Sequence, residues 1–236
     1  MNDDENCTEV SKCEDGLGFG GIPLRYPAAC CGELHSCPFL LRKMLINGIR
    51  LIMDIQIIYY SKYGSTKEIA HAIGKKLHTD NISDIMDLNE ITGDLVVVGS
   101  PVYSEIPYAD IIHLLRDEER KLKDKEIAIF VVCMRKGLVK LGDKESGGPV
   151  YLRKMEEALG RPPIVSKIFG GRRIMAELDC EDQKRIEAFS KRLGREFNDE
   201  DIMSLEEVDE FIQDIKTKMN LEQKLHNQKG CSNKGI

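Results

Sequence analysis

The 236-residue chain carries 34 lysines and arginines against 40 aspartates and glutamates, a net charge of −6, with 42% hydrophobic and 31% charged residues. Such values describe a soluble globular protein with room for one large domain or a domain with appendages. They exclude nucleic acid as the main partner, because a phosphate backbone demands a basic face.

Residues 1–52 stand apart. They hold five of the eight cysteines (Cys7, Cys13, Cys30, Cys31 and Cys37) and show little periodicity. Together with His35 these cysteines could ligate zinc or an iron–sulfur cluster, but no Cys-x-x-Cys pair is present. The other reading is a poorly ordered leader, with Met53 as the working start. "GLGFGG" at 16–21 fits a dinucleotide fingerprint in letters only, since no apolar strand precedes it. The nearest thing to a membrane span, residues 38–53, is broken by Arg42, Lys43 and Arg50, so no integral membrane segment is expected. The acidic "MNDDEN" start lacks the order of a signal peptide, which makes the cytoplasm the expected location and the cysteines thiols or ligands.

From Met53 the pattern becomes regular. Residues 54–60 read as a strand, and 65–77 as a helix with Ile69, Ala72, Ile73 and Leu77 on one face. A weak strand follows near 82–87. "DLVVVG" at 94–99 is a short apolar run of the kind covered on both faces of a sheet. Pro107 suits a helix's first turn, with Tyr108, Ile111, Ile112 and Leu115 as its buried stripe. Residues 126–133 are the next strand, 149–159 a helix closed by Gly160 and Pro162, and 163–171 another strand. Asp179 can cap a helix that buries Ile186, Phe189 and Leu193. Ser204 and Glu207 form a capping-box pair before a last helix striped by Val208, Phe211, Ile212, Ile215 and Met219. A polar tail occupies 223–236 and is expected to fray. The domain proper is therefore 53–222.

Strands alternating with helices imply right-handed crossovers and a parallel sheet with helices on both faces. Ligands of such sheets sit beyond the strands' carboxyl ends. After the first strand comes "SKYGST", which crowds hydroxyls and a glycine against a helix start. Gly64 lets the backbone approach a bound group, and free amides and the helix dipole favour an anion such as phosphate. After "LVVVG" comes "SPVY", where Tyr103 can stack on a flat ring.

Together these two loops, in register, resemble the flavodoxin family: "SKYGST" its phosphate loop, "VVVGSPVY" its flavin loop. Their separation of about 35 residues also suits it. The resemblance covers 54–215 and implies a flavodoxin-like three-layer α/β/α sandwich with a five-stranded parallel sheet, binding FMN non-covalently. It implies that Ser61, Lys62, Tyr63, Gly64, Ser65 and Thr66 hold the phosphate, Lys62 adding charge. It places Ser100, Pro101, Val102 and Tyr103 beside the ring. The family's third loop falls at "CMRKGLV", where Met134, Arg135 and Lys136 replace the usual glycine- and aromatic-rich pattern; the resemblance would still bring Cys133, Met134 and Arg135 to the ring, while Cys133 also reads as a small buried thiol.

A longer segment, "KGLVKLGDKESGGP", follows, and "FGGRR" ends the last strand. The "FGGRR" strand end and the extension well beyond a minimal domain resemble the branch of menaquinone-dependent protoporphyrinogen dehydrogenases, which has a long loop near the flavin; the resemblance implies that Arg172 and Arg173 could pair with a porphyrinogen's propionates, the other reading being a helix-terminal or surface pair. Three functions follow: an electron carrier for a redox partner protein, a flavin-dependent oxidoreductase with a small-molecule donor or acceptor, and a non-catalytic binding module. Any of them could be a homodimer. The aspartates of a receiver domain and the Gly-Lys-Ser/Thr of a P-loop hydrolase are missing from the matching strand ends.

Overall fold

The computed structural model describes residues 43–46, 49–117, 119–141, 143–194 and 196–231. The cysteine cluster at 7–37 and "GLGFGG" lie outside them. A hairpin, β1 (Lys43–Ile46) with β2 (Ile49–Ile52), precedes the sheet.

Five short apolar runs make the central sheet: β3 (Ile55–Tyr59), β4 (Ile82–Asp84), β5 (Leu95–Tyr103), β7 (Glu126–Cys133) and β10 (Val165–Gly170). All pair in parallel, in the spatial order β10-β7-β5-β3-β4. The switch point, where the order reverses, lies between β3 and β5. A short β6 (Ile106–Pro107) folds back on β5 as an antiparallel hairpin. The flavodoxin-like sandwich expected from sequence is the observed architecture.

The two-residue period of the strands divides the core into two layers. Ile55, Ile57, Tyr59, Leu95, Val97, Ala128, Phe130 and Val132 pack under α1 (Ser65–Leu77) and α6 (Glu206–Cys231). Ile58, Val96, Val98, Ile127, Ile129 and Val131 pack under α2 (Ala109–Asp117) and α4 (Gly148–Leu159). Leu122 of α3 (Glu119–Leu122) joins the second layer. Gln56, the one polar residue of β3, is buried and makes three hydrogen bonds through its side chain. Its carbonyl accepts from the amides of Thr92 (2.9 Å) and Gly93 (3.3 Å), and its amide donates to Glu90 O (2.9 Å). The loop entering β5 is thereby tied to the sheet.

Three local expectations are corrected. Pro107 does not open a helix: β5 runs on to Tyr103, turns through Ser104 and Glu105 (both at positive φ), and pairs Val102 with Pro107. α2 starts only at Ala109. No Ser204 cap is made among the described residues, because the Glu207 carboxylate pairs with Lys136 instead. The helix α5 (Cys180–Leu193) is capped by Asp179 as expected, yet Ile186 and Phe189 are only half-buried, and Phe189 stacks on Phe197 at 5.7 Å. α5 belongs to a segment outside the sandwich, whose strands β11 (Arg172–Arg173) and β12 (Glu200–Asp201) pair antiparallel at its base.

Between them, β8 (Val139–Leu141) and β9 (Lys144–Ser146) form a hairpin between β7 and α4. No helix among the described residues is long and apolar enough to cross a membrane.

Candidate functional site

The carboxyl ends of β3 and β5 lie side by side at the switch point, joined by the Tyr60 amide donating to Gly99 O (3.4 Å). Ser61–Gly64 leave β3 as a tight loop. The Ser61 hydroxyl accepts from the Gly64 amide at 3.1 Å, and Gly64 adopts φ +90°. A Cβ at Gly64 would meet nothing within 4 Å, so the glycine is required by backbone conformation and opens onto free space. The first intrahelical bond of α1 runs from Glu68 N to Gly64 O (2.9 Å). The amides of Ser65, Thr66 and Lys67 therefore precede any intrahelical acceptor. The nearly buried Thr66 hydroxyl has no partner among the described residues. Free amides, a hydroxyl and the helix dipole thus meet at the start of a 13-residue helix.

The remaining loop donors are already engaged. The Lys62 ammonium sits between Asp179 and Asp182, 2.6 Å from a carboxylate oxygen of each. It also lies 5.1 Å from the centre of the Tyr63 ring. The Tyr63 hydroxyl donates to Asp182 at 2.5 Å and accepts from the Asp179 amide at 3.4 Å. Hydrogen bonding to Asp179 and Asp182 holds the Lys62 pKa well above its ordinary value. The Asp179 carboxyl is lowered, mainly by Lys62. Burial pushes Asp182 up, but its bonds from Lys62 and Tyr63 outweigh that and leave it lowered. The expectation that Lys62 brings net positive charge to an anion does not match this geometry. The Ser65 hydroxyl bridges to Arg172, accepting from its amide at 3.1 Å.

Tyr103 also lies on this loop. Its hydroxyl accepts from the Lys62 amide at 3.1 Å, and its ring meets Tyr63 edge-on at 6.0 Å. Burial pushes its phenol up to about 12, against the pull of the Lys62 and Tyr63 amides. Ser100 is fully buried: its hydroxyl accepts from the Tyr108 amide (2.8 Å) and donates to Pro101 O (2.9 Å). Pro101 is paired with Val132 inside the sheet. Val102 and Tyr103 are half-buried at the hairpin. Beside them Tyr60 and Tyr108 stack, centroids 3.5 Å apart and planes 6° from parallel.

At the end of β7, Cys133 is buried and donates its thiol to Arg135 O (3.2 Å); burial raises its pKa. Met134 and Arg135 are half-buried. The Arg135 guanidinium has no ion-pair partner among the described residues. Arg172 and Arg173, by contrast, are taken by carboxylates of this chain. Arg172 pairs with Glu68 (3.2 Å), and Arg173 with Glu200 (2.9 Å).

Sequence reasoning missed Asp182, Tyr60 and Tyr108. Asp179 was legible only as a cap. Lys62 and Asp182 are 120 residues apart, and no local pattern links them. No group of His, Cys, Asp and Glu among the described residues could hold a metal ion.

A family model described as a flavodoxin domain matches residues 56–199. Among solved structures, the chain is similar to a flavoprotein of Lactobacillus acidophilus in complex with FMN. That likeness has 20% identity over 49% of this chain and 93% of that one, with a TM-score of 0.35. Another is two-electron reduced flavodoxin of Megasphaera elsdenii, at 21% identity over 48% and 84%, TM-score 0.35. A third is a Fusobacterium nucleatum flavodoxin bound to flavin mononucleotide, at 14% identity over 49% and 68%, TM-score 0.34. No curated protein matches the chain.

Proposed function

Because this chain belongs to the flavodoxin-domain family, we propose that it is a flavoprotein, binding FMN non-covalently at the switch point between β3 and β5 and transferring electrons through it. The observation that carries this reading is the start of α1. Three amides without intrahelical acceptors and the Thr66 hydroxyl, also unpartnered among the described residues, gather at the helix start beside Gly64, where a Cβ would meet nothing within 4 Å. A phosphate monoester fits that donor set: several neutral donors at a helix N-terminus.

Ser61, Gly64, Ser65 and Thr66 would hold the phosphate, with Lys62 and Tyr63 fixing the loop through the bonds of their amides to Tyr103. Val102 and Tyr103 would border the ring, with Ser100 and Pro101 shaping the turn behind them. Cys133, Met134 and Arg135 would meet the ring from the end of β7. Bound there, FMN would supply one- or two-electron chemistry, while the chain orients it and sets its potential through backbone dipoles and nearby charge.

A second reading is favoured by Arg135. Its guanidinium is the basic group of the strand ends that no carboxylate of the described residues neutralises. It suits a flavin-dependent oxidoreductase acting on a small anionic substrate, the protoporphyrinogen dehydrogenase type being one case. Arg172 and Arg173 lend that case no support, since both are already paired.

The purified protein, or the protein mixed with FMN, should show bound-flavin absorbance at about 450 nm with one flavin per chain. A chain that takes up no FMN overturns the proposal. Reduction of the bound flavin by NAD(P)H or a quinol alone marks the enzyme. Reduction only through an added redox protein marks the carrier.

A further inference from the structure

We propose that the segment 171–203 is a brace for the loop at 61–64, in which Asp182, backed by Asp179, is a positioning residue that acts on a bound phosphate only through Lys62 and Tyr63. The inference rests on the FMN reading above.

The segment leaves the sheet after β10 and returns to α6, and it is closed at its base. Arg172 pairs with Asp201 and Arg173 with Glu200 in the β11/β12 ladder, and Gly171 O accepts from the Ile202 amide at 3.1 Å. Arg173 adds bonds to Asn198 O and Glu200. Its far end is the capped start of α5, where Asp179 accepts from the amides of Glu181 (3.0 Å) and Asp182 (2.8 Å). That end grips the loop. Asp182 holds both the Lys62 ammonium and the Tyr63 hydroxyl, and Asp179 holds the same ammonium. The base grips the other side, through Ser65 to the Arg172 backbone and through Glu68 to the Arg172 guanidinium.

Ser61–Gly64 belong to no helix or strand, so without such ties the loop would lose conformational freedom on binding. Ordering it beforehand removes that cost from the binding step. Charge bookkeeping points the same way. One ammonium against two carboxylates leaves the triad at −1 (+1 − 2), so Lys62 offers an anion no net attraction. What Lys62 contributes is the position of its own backbone.

FMN and riboflavin, which lacks the phosphate, should be titrated into the wild-type chain and into Lys62→Met, Asp179→Asn/Asp182→Asn, Asp182→Glu and the Lys62→Met/Asp179→Asn/Asp182→Asn triple variant. Asparagine keeps the α5 cap, so the helix start is preserved. The expected loss of FMN affinity in Asp179→Asn/Asp182→Asn is about five-fold, the scale of a partly exposed ion pair. Riboflavin affinity stays unchanged. Lys62→Met produces the same loss alone and no further loss in the triple variant, because one brace is removed only once. Asp182→Glu retains wild-type affinity. In the FMN-free chain, amide exchange at 61–64 quickens in Asp179→Asn/Asp182→Asn.

Tighter FMN binding in that variant, a further loss in the triple variant, or an equal loss of riboflavin each overturns the brace. Unchanged FMN affinity overturns it while leaving the FMN reading intact. A wild-type chain that binds no FMN overturns both.

Discussion

Phe130→Ala is expected to lower the free energy of unfolding by about 3–5 kcal/mol, the range for truncating a fully buried aromatic side chain. Phe130 is fully buried at the middle of β7, edge-to-face with Phe169 (5.6 Å) and Phe211 (6.2 Å). It also lies directly on Gly99: a Cβ there would fall 2.1 Å from the Phe130 ring. Phenylalanine and glycine thus share one space beneath the switch point, and emptying it opens a cavity lined by aromatic rings that cannot close onto each other. Urea unfolding followed by far-UV circular dichroism measures the loss. A lower midpoint with an unchanged slope is expected. A loss below about 1 kcal/mol would mean that the site collapses freely and that the ring is not packed as described.

Thr66→Glu should abolish FMN binding. Thr66 is buried in the first turn of α1, with its hydroxyl at the proposed phosphate position. A carboxylate in the first turn suits the helix dipole, which offsets only part of the cost of burying it, so far-UV circular dichroism of the variant is recorded alongside the titration. The same carboxylate faces a phosphate dianion, and the repulsion at an effective dielectric near 20 exceeds about 3 kcal/mol, more than a hundred-fold in affinity. Thr66→Val, which removes only the hydroxyl, should cost about 1 kcal/mol or roughly five-fold. Fluorescence quenching of FMN on titration separates the three proteins. Tight FMN binding by Thr66→Glu would remove the phosphate from this loop.

How legible was this in the sequence? Where structure follows from local period and caps, very much so. α1 spans the residues expected, 65–77, and Asp179 caps α5. The stripe of Val208, Phe211, Ile212, Ile215 and Met219 is buried along α6. The strands read as continuous apolar runs because both faces are covered. The β5–β6 turn was hidden because Ser104 and Glu105 take positive φ without the glycine or asparagine that usually signals it. A local motif was misleading at Glu207, whose partner Lys136 is 71 residues away and outcompetes the cap. The same holds at the site: the glycine turn and helix start of "SKYGST" are local features, but the pairing of Lys62 is decided by two aspartates more than a hundred residues later. Side-chain pairing across the fold, rather than spacing along the chain, offsets the charge of a lysine that stays protonated.

Crystals grown with FMN test the central claim most directly. The account expects the phosphate group within hydrogen-bonding distance of the Ser65 and Thr66 amides and the Thr66 hydroxyl, with Lys62 still held by Asp179 and Asp182. A loop left empty, or a phosphate bound elsewhere on the molecule, would contradict it.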